Sequence, residues 1–504
     1  MIIMQSLKNT DEKKSFYFID KKPKKQLIVA KFGGVCMANP QNIEKVIDVI
    51  KNDANRKIIV VSAPGQSNEN DKKITDLLYE CCESLENNKH NCNNNDYDNS
   101  SICDKVLLKI EKIFIEIIEH FKLNEATISN DVFNIKEIIN ICKNQNKFEI
   151  NQKHIYCDNF KSFIASRGEF LMAKIMAEIL NFEFVDAIDI IKFNNDGELD
   201  FIKTNKLIRN KLTKYKRRNL SPTSKKRRGV IVPGFYGQLP NGQILTFSRG
   251  GSDYTASLIA AAINADLYEN WKDVDGLMSC DPKIVKSHLN IREITFNELR
   301  QLSYMGSKIL HPDTVLPARK KNIPIVIKSI FEPEKQGTKI GNYINSKNVD
   351  MVKAITGKRN QVHLKIKKIM EYNEVEYFFQ VFKILNDLNI SSIQFDANVD
   401  FIDLFFNQNE IKCDEKEFIE HFKTLDFLEI SLKKDVSLIA IVGEKIILNS
   451  QIFKRLFLCL NIKNIEVLYV KINSNGSNII IAVENRHFEN AIKIINKLLF
   501  LSKA

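Results

Sequence analysis

Twice along this chain an apolar run ends in a Gly–Gly pair and gives way to a helical pattern. The first case is IVAKFGGVC at 28–36 and the second is ILTFSRGGSDYTASLIAAAI at 244–263. An apolar run that stops at paired glycines reads as a buried strand turning sharply. The helix after it offers its N-terminal N–H groups to whatever occupies the turn. Around the first pair the pattern extends further. QLIVAKFGG is a strand, NPQNIEKVIDVIKND a helix with Asn39 as cap and Pro40 in its first turn, and RKIIVVSAPG a second buried strand. Strand, helix, strand at this spacing predicts a mainly parallel sheet with helices on both faces, an α/β fold.

Glycines at a turn can be purely steric, and Gly33–Gly34 alone would not separate that from anion binding. The neighbouring charges carry more weight. Lys31 closes an otherwise apolar strand, where a lysine is costly to bury without an anionic partner. The second turn sets Arg249, Ser252 and Asp253 around Gly250 and Gly251, and SRGEF adds another acid, Glu169. SRGEFLMAKIMAEILNF reads as a turn leading into an amphipathic helix. The chain contains no Gly-x-x-x-x-Gly-Lys-Ser/Thr, no Gly-x-Gly-x-x-Gly and no His-Arg-Asp with Asp-Phe-Gly set. A phosphate held here is therefore held by another scaffold than a P-loop, a dinucleotide fold or a protein kinase.

The 504 residues allow two to four domains. The net charge of +12 accompanies an excess of Lys, Asn and Ile throughout and no nucleic-acid-binding motif. It reads as compositional drift plus a local phosphate site, with no nucleic acid as partner. The basic run at 214–228 reads as a charged surface connection. Ten scattered cysteines without a CxxC pair point to reduced thiols and a cytoplasmic protein. No apolar stretch approaches membrane-spanning length, so no membrane association is expected. Residues 1–25 make a poor leader peptide and read as a disordered extension. The Asn-rich stretch at about 85–103 reads as a solvated loop. VIVPGFYGQLPNGQILTF predicts a hairpin turning at Asn241–Gly242. Past Lys339 the pattern changes. After a linker at 341–354, short strands alternate with helices over 355–435 and again over 436–504, a loose internal duplication of α+β modules.

Six blocks now stand together: KFGG, VVSAPG…KITDLL, SRGEFLMAKIMAE, VPGFYGQLPNGQILTFSRGGSDYTASLIAAAINAD, WKDVDGLMSCDPKIV and LSYMGSKILHPDTVLPARKKNIPIVIKSIFEPEKQGTKI. In this order they resemble the aspartate kinases, from about Gln26 to Ile340. The tail is similar, more loosely, to that family's paired ACT domains. The resemblance implies an amino-acid-kinase fold over 26–340, followed by two ferredoxin-like βαββαβ modules. It implies transfer of the ATP γ-phosphoryl group, with Mg2+ riding on ATP, to the β-carboxylate of L-aspartate. That reaction opens lysine, threonine and methionine synthesis.

By resemblance, Lys31 contacts the phosphates and acts catalytically with Asp253 and Lys308. Gly33 and Gly34 supply main-chain donors, and Gly250 and Gly251 shape the second turn. Arg249 pairs with the substrate α-carboxylate, Glu169 with its ammonium, and Ser252, Asp253 and Thr75 add substrate contacts. Lys272, Asp273, Gly276, Met278, Lys283 and Lys308 map to the nucleotide side. No protein metal site is implied. Blander roles stay open: Thr75 could cap a helix, Glu169 and Asp253 could be first-turn acids, and Lys308 could be a solvated charge. His311 reads as structural and Trp271 as core. The usual KFGGTSV is KFGGVCM here, so Val35 and Cys36 replace two hydroxyl residues. Lys272 stands where Thr is typical, Met278 where Tyr often is, and Lys283 replaces Arg. In the first ACT module, MEYNEVEYFFQVF lacks the usual glycine, and Ile393 stands where an acid for an effector ammonium is usual. Lysine inhibition is therefore not implied, while an amino-acid effector and dimerisation (a homodimer or dimer of dimers) through the ACT domains are. Rival readings are a kinase of the same fold acting on acetylglutamate or uridylate, a non-catalytic ACT sensor, and a nucleic-acid binder using 214–228.

Overall fold

The computed structural model describes residues 26–66, 72–90, 97–124, 129–131, 148–150, 153–155, 160–217, 228–248, 250–307, 310–342, 352–368, 374–391, 394–423, 425, 427–444, 446, 450–473 and 476–501. The expected N-terminal extension, most of the basic run and most of the linker lie outside these residues. The Asn-rich loop is narrower than expected, because helix Ile74–His90 runs into it and helix Tyr97–His120 begins within it.

The chain opens with β1 (Ile28–Phe32), helix Pro40–Asn52 and β2 (Arg56–Val61). Asn39 caps the helix by accepting from the Asn42 N–H at 2.9 Å, with Pro40 at the first position. A hairpin of β3 (Phe148–Ile150) and β4 (Lys153–Ile155) follows, then helix Phe160–Leu180, β5 (Glu183–Phe184), helix Phe201–Arg217 and β6 (Val230–Pro233). β7 (Tyr236–Gln238) and β8 (Ile244–Thr246) form the hairpin that turns at Asn241–Gly242. After helix Gly251–Ile263 come β9 (Leu267–Lys272), the short pair β10 (Leu277–Met278) and β11 (Asn290–Ile291), β12 (Glu293–Thr295), β13 (Ile325–Ser329) and β14 (Thr338–Gly341).

Eight of these strands form one sheet in the order β12-β14-β13-β9-β1-β2-β6-β5, parallel throughout except for the β13–β14 pair. β1 is buried on both faces, which is why it reads as a continuous apolar run. Val29, Val60 and Val232 point to the face covered by helices Gly251–Ile263 and Phe201–Arg217. Ile28, Ala30, Phe32, Ile59 and Val61 point to the opposite face, under helices Pro40–Asn52 and Phe160–Leu180. From β1 the chain moves one way to β2 and β6, and later returns to β9 on β1's other side. Strand order thus reverses at the β1/β9 boundary, and ligands of open α/β sheets settle beyond the carboxyl ends of strands at such a point.

The C-terminal strands are β15 (Ala354–Lys368), β16 (Gln394–Ala397), β17 (Phe401–Asn407), β18 (Phe427–Val442), β19 (Tyr469–Ile472) and β20 (Asn478–Glu484). They make one antiparallel sheet in the order β16-β17-β15-β18-β20-β19. Residues 361–367 of β15 pair with β17, and 363–367 also pair with 429–433 of β18, completing a first ferredoxin-like module. The second module takes its first strand from residues 436–442 of β18, and its fourth from 354–358 of β15. The expected division into 355–435 and 436–504 therefore does not follow the sheet. A βαββαβ module needs four strands, the last stretch carries three, and the fourth precedes the first module in sequence.

Candidate active site

The carboxyl ends of β1 and β9 carry Lys31, Asn270 and Lys272. Lys31 and Asn270 are register partners, and both lie on the face covered by helix Gly251–Ile263. That helix places Asp253 in its first turn, over the two strands. The Lys31 Nζ lies 2.7 Å from Asp253 Oδ1, Lys272 Nζ lies 3.5 Å from Asp253 Oδ2, and Asn270 Nδ2 donates to Oδ1 at 3.1 Å. Asp253 is only 6% exposed. Burial alone would raise its carboxyl, but Lys272 and Lys31 outweigh that and hold it down at about 2. The same burial lowers Lys272, against the pull of Asp253.

The turn that aims Asp253 is sterically demanding. Gly250 caps the helix in the left-handed region at φ 74°, and a Cβ there would come 2.8 Å from Thr314 Cγ2. Gly234, just beyond β6, lies so close beneath the helix that a Cβ would meet Ser252 at 2.6 Å. Ser252 is buried at that contact. Arg249 lies outside the described residues, as does Lys308.

Glu169 enters from the other side. The expected turn at SRGEF is not there: helix Phe160–Leu180 starts earlier, and Ser166 to Glu169 lie in its middle. Gly168 is a close-approach residue, since a Cβ would sit 2.8 Å from Ala63 Cβ, just past β2. Glu169 is consequently not a first-turn acid. It is buried, accepts from the Ala63 main-chain N–H, feels the charge of Lys31, and among the described residues its Oε2 has no hydrogen-bond partner. Burial outweighs these contacts and pushes its carboxyl up to about 8.

The first glycine pair behaves differently from expectation. Gly33 donates its N–H to the Trp271 carbonyl at 3.0 Å, so the donor role implied for it is already filled within the protein. The Gly34 carbonyl accepts from the Gly65 N–H at 2.8 Å, tying the β1 turn to the β2 turn. Cys36 faces the core. Its Sγ donates to the same Trp271 carbonyl at 3.4 Å, and burial pushes the thiol up to about 12. Trp271 is core too, stacked on Phe32 with centroids 6.1 Å apart and donating Nε1 to Glu269 at 2.9 Å.

Of the remaining expected residues, Thr75 is half-buried in the first turn of helix Ile74–His90 rather than at its cap. Asp273 and Lys283 are exposed, Met278 is half-buried in β10, and Gly276 is buried with φ 127° against Thr338. His311 is exposed, 3.7 Å from Asp313. Sequence reasoning missed Asn270. The available signal was a polar residue at a sheet-facing position of LYENWK, opposite Lys31. Among the described residues, no cluster of three His, Cys, Asp or Glu could hold a metal ion, and no helix is long and apolar enough to cross a membrane.

The arrangement collects two ammonium groups around Asp253, and a second acid with one unpartnered oxygen, at the switch point of an α/β sheet. The amino acid kinase family matches residues 26–329. The solved structure of Clostridium acetobutylicum aspartate kinase superposes with a TM-score of 0.75 at 31% identity, covering 94% of this chain and 100% of that one. Aspartokinase 3 of Bacillus subtilis is 27% identical over 421 residues, 82% of this chain and 86% of that protein. Aspartokinase III of Escherichia coli, solved with aspartate and ADP, shares the fold at a TM-score of 0.72 and 23% identity, covering 94% of this chain and 100% of that one. With a family match across more than half its length and the clostridial enzyme covered in full, the chain belongs to the amino acid kinase family and, within it, to the aspartokinases.

Proposed function

We propose that the chain transfers the γ-phosphoryl group of ATP to the β-carboxylate of L-aspartate, giving 4-phospho-L-aspartate for lysine, threonine and methionine synthesis. The observation that carries this reading is the buried Lys31–Asp253 pair, joined by half-buried Lys272, with the unpartnered Glu169 oxygen in electrostatic range of Lys31. The nucleophile has a pKa of roughly 4 and is ionised at neutral pH, so no general base is required. The barrier is repulsion between two anions, and fixed cations lower it. Lys31 takes the transferring group and Lys272 adds a second charge toward the triphosphate. Asp253 keeps both ammonium groups aimed and protonated.

Glu169 takes the substrate ammonium, Arg249 its α-carboxylate by a two-pronged pairing, and Ser252 and Thr75 add contacts. Gly34, Gly250, Gly251, Asp273, Gly276, Met278, Lys283 and Lys308 complete the nucleotide side. Mg2+ enters with ATP and neutralises phosphate charge. That role needs only one or two carboxylates, and exposed Asp273 beside the end of β9 fits it. Exposed Val375 and Phe379 on helix Glu374–Asp387 support association through the ACT modules, where an amino-acid effector would also act. The free thiols of Cys36, Cys280, Cys413 and Cys459 support a cytoplasmic setting. The test is aspartate-dependent hydroxamate formation. Wild type should be active and Lys31→Ala should lose at least about a thousandfold in kcat. A wild type active on acetylglutamate or UMP instead of aspartate would sink the reading.

A further inference from the structure

We propose that Asn270 is a positioning residue of phosphoryl transfer, holding Asp253 in place while Lys31 and Lys272 turn toward phosphate. Asn270 is fully buried on β9, which is hydrogen-bonded on both sides, to β1 and to β13. A polar side chain there is a poor structural choice. Its neighbour from β13 is the apolar Ile327, and its buried Oδ1 has no hydrogen-bond partner among the described residues. An apolar residue of the same shape would fill the position without an orphaned acceptor. Among the described residues, the side-chain hydrogen bond that Asn270 makes is from its Nδ2 to Asp253 Oδ1, the oxygen that Lys31 also holds.

The two lysines are Asp253's other partners, and both are cations that a triphosphate would compete for. Once Lys31 moves onto phosphate, the amide of Asn270 is the donor on Oδ1 that cannot follow, because the strand fixes it. The carboxylate then stays ionised and keeps aiming the ammonium groups. Groups facing this pair are Lys31 from β1, Lys272 and Tyr268 from β9 (the Tyr268 hydroxyl donates to the Asp253 carbonyl at 3.3 Å) and, across the end of β1, Glu169. The proposal rests on the aspartate kinase reading.

Its test uses the full chain at saturating aspartate and ATP, where the bound ammonium keeps Glu169 ionised. Asn270→Leu should keep its thermal midpoint, keep both KM values within about twofold, and lose about 10- to 100-fold in kcat. Asn270→Asp gives the distinguishing signature. The introduced carboxyl donates only when protonated, so its kcat should rise as pH falls from 9 toward 6, a rise that wild type lacks. Wild-type kcat and pH profile in Asn270→Leu, or a flat profile in Asn270→Asp, would overturn the proposal while leaving the activity assignment intact. If neither variant folds, Asn270 is structural and the proposal also fails. An inactive wild type would instead remove the reading beneath it.

Discussion

Two buried carboxylates sit within electrostatic range of the same lysine and titrate at opposite ends of the scale. Asp253 is held at about 2 and Glu169 is pushed up to about 8. Burial raises both, so the difference lies in their partners. Asp253 stands in the first turn of its helix, where the backbone favours an anion, and receives Lys31, Lys272 and Asn270. Glu169 stands in mid-helix with a main-chain N–H and one empty oxygen. Asp253 is complete in the free protein. Glu169 is a half-made contact, which under the proposed function a ligand cation would finish, and that contrast would separate the machinery from the specificity pocket.

The contrast breaks most visibly at Asp253. Asp253→Asn leaves two ammonium groups together in a buried site, and should cost about 3–5 kcal/mol of stability with a kcat loss of about a hundredfold or more. Urea midpoints and hydroxamate assays check both numbers, and a stable, active variant would erase the distinction. Glu169→Gln should do the reverse. Its urea midpoint should not fall, because a buried neutral amide replaces a carboxyl already neutral below pH 8. Its aspartate KM should rise about 10- to 100-fold with the ATP KM unchanged.

The smallest effect is in pH. Bound ammonium favours the Glu169 carboxylate, so aspartate binding at pH 7 should expel a proton. Affinity should then strengthen by up to about tenfold per unit as pH rises toward 8 and level off above it. Calorimetry in two buffers of different ionisation enthalpy reads the proton directly. Stability linkage has opposite signs at the two acids. The folded Glu169 carboxyl lies above its ordinary 4.5, so the ligand-free protein loses stability from about pH 4.5 up to about 8. The folded Asp253 carboxyl lies below 3.8, so its contribution is present above that value and lost as pH falls through about 2.

Much of the site was legible because its residues are anomalies in local patterns. A lysine ending an apolar strand and charges around a glycine turn both announce themselves, and Lys31 and Asp253 meet at 2.7 Å. Gly168 misled, because glycine reads as a breaker, whereas here it lets mid-helix Glu169 press against Ala63. Asn270 shows in the sequence only as a polar residue within LYENWK, because its meaning depends on register with β1, which no local pattern records. The same limit hid the crossed modules: residues 354–358 look like the start of one unit, and only pairing with 438–442 assigns them to another.

That crossing has a consequence during synthesis. The edge segment 354–358 leaves the ribosome long before residues 436–484, with which it must share a sheet. At 5–20 residues per second the wait for its partner 438–442 is roughly 4 to 17 s, and the module encoded between them emerges in full before the pairing can close. In the folded chain the Ile355 N–H donates to the Ser279 carbonyl at 2.7 Å, just past Met278 of β10. The kinase half of the folded chain thus grips the same ribbon whose sheet partner is made later, so the two halves are joined through a strand that belongs by sequence to neither module's continuous stretch.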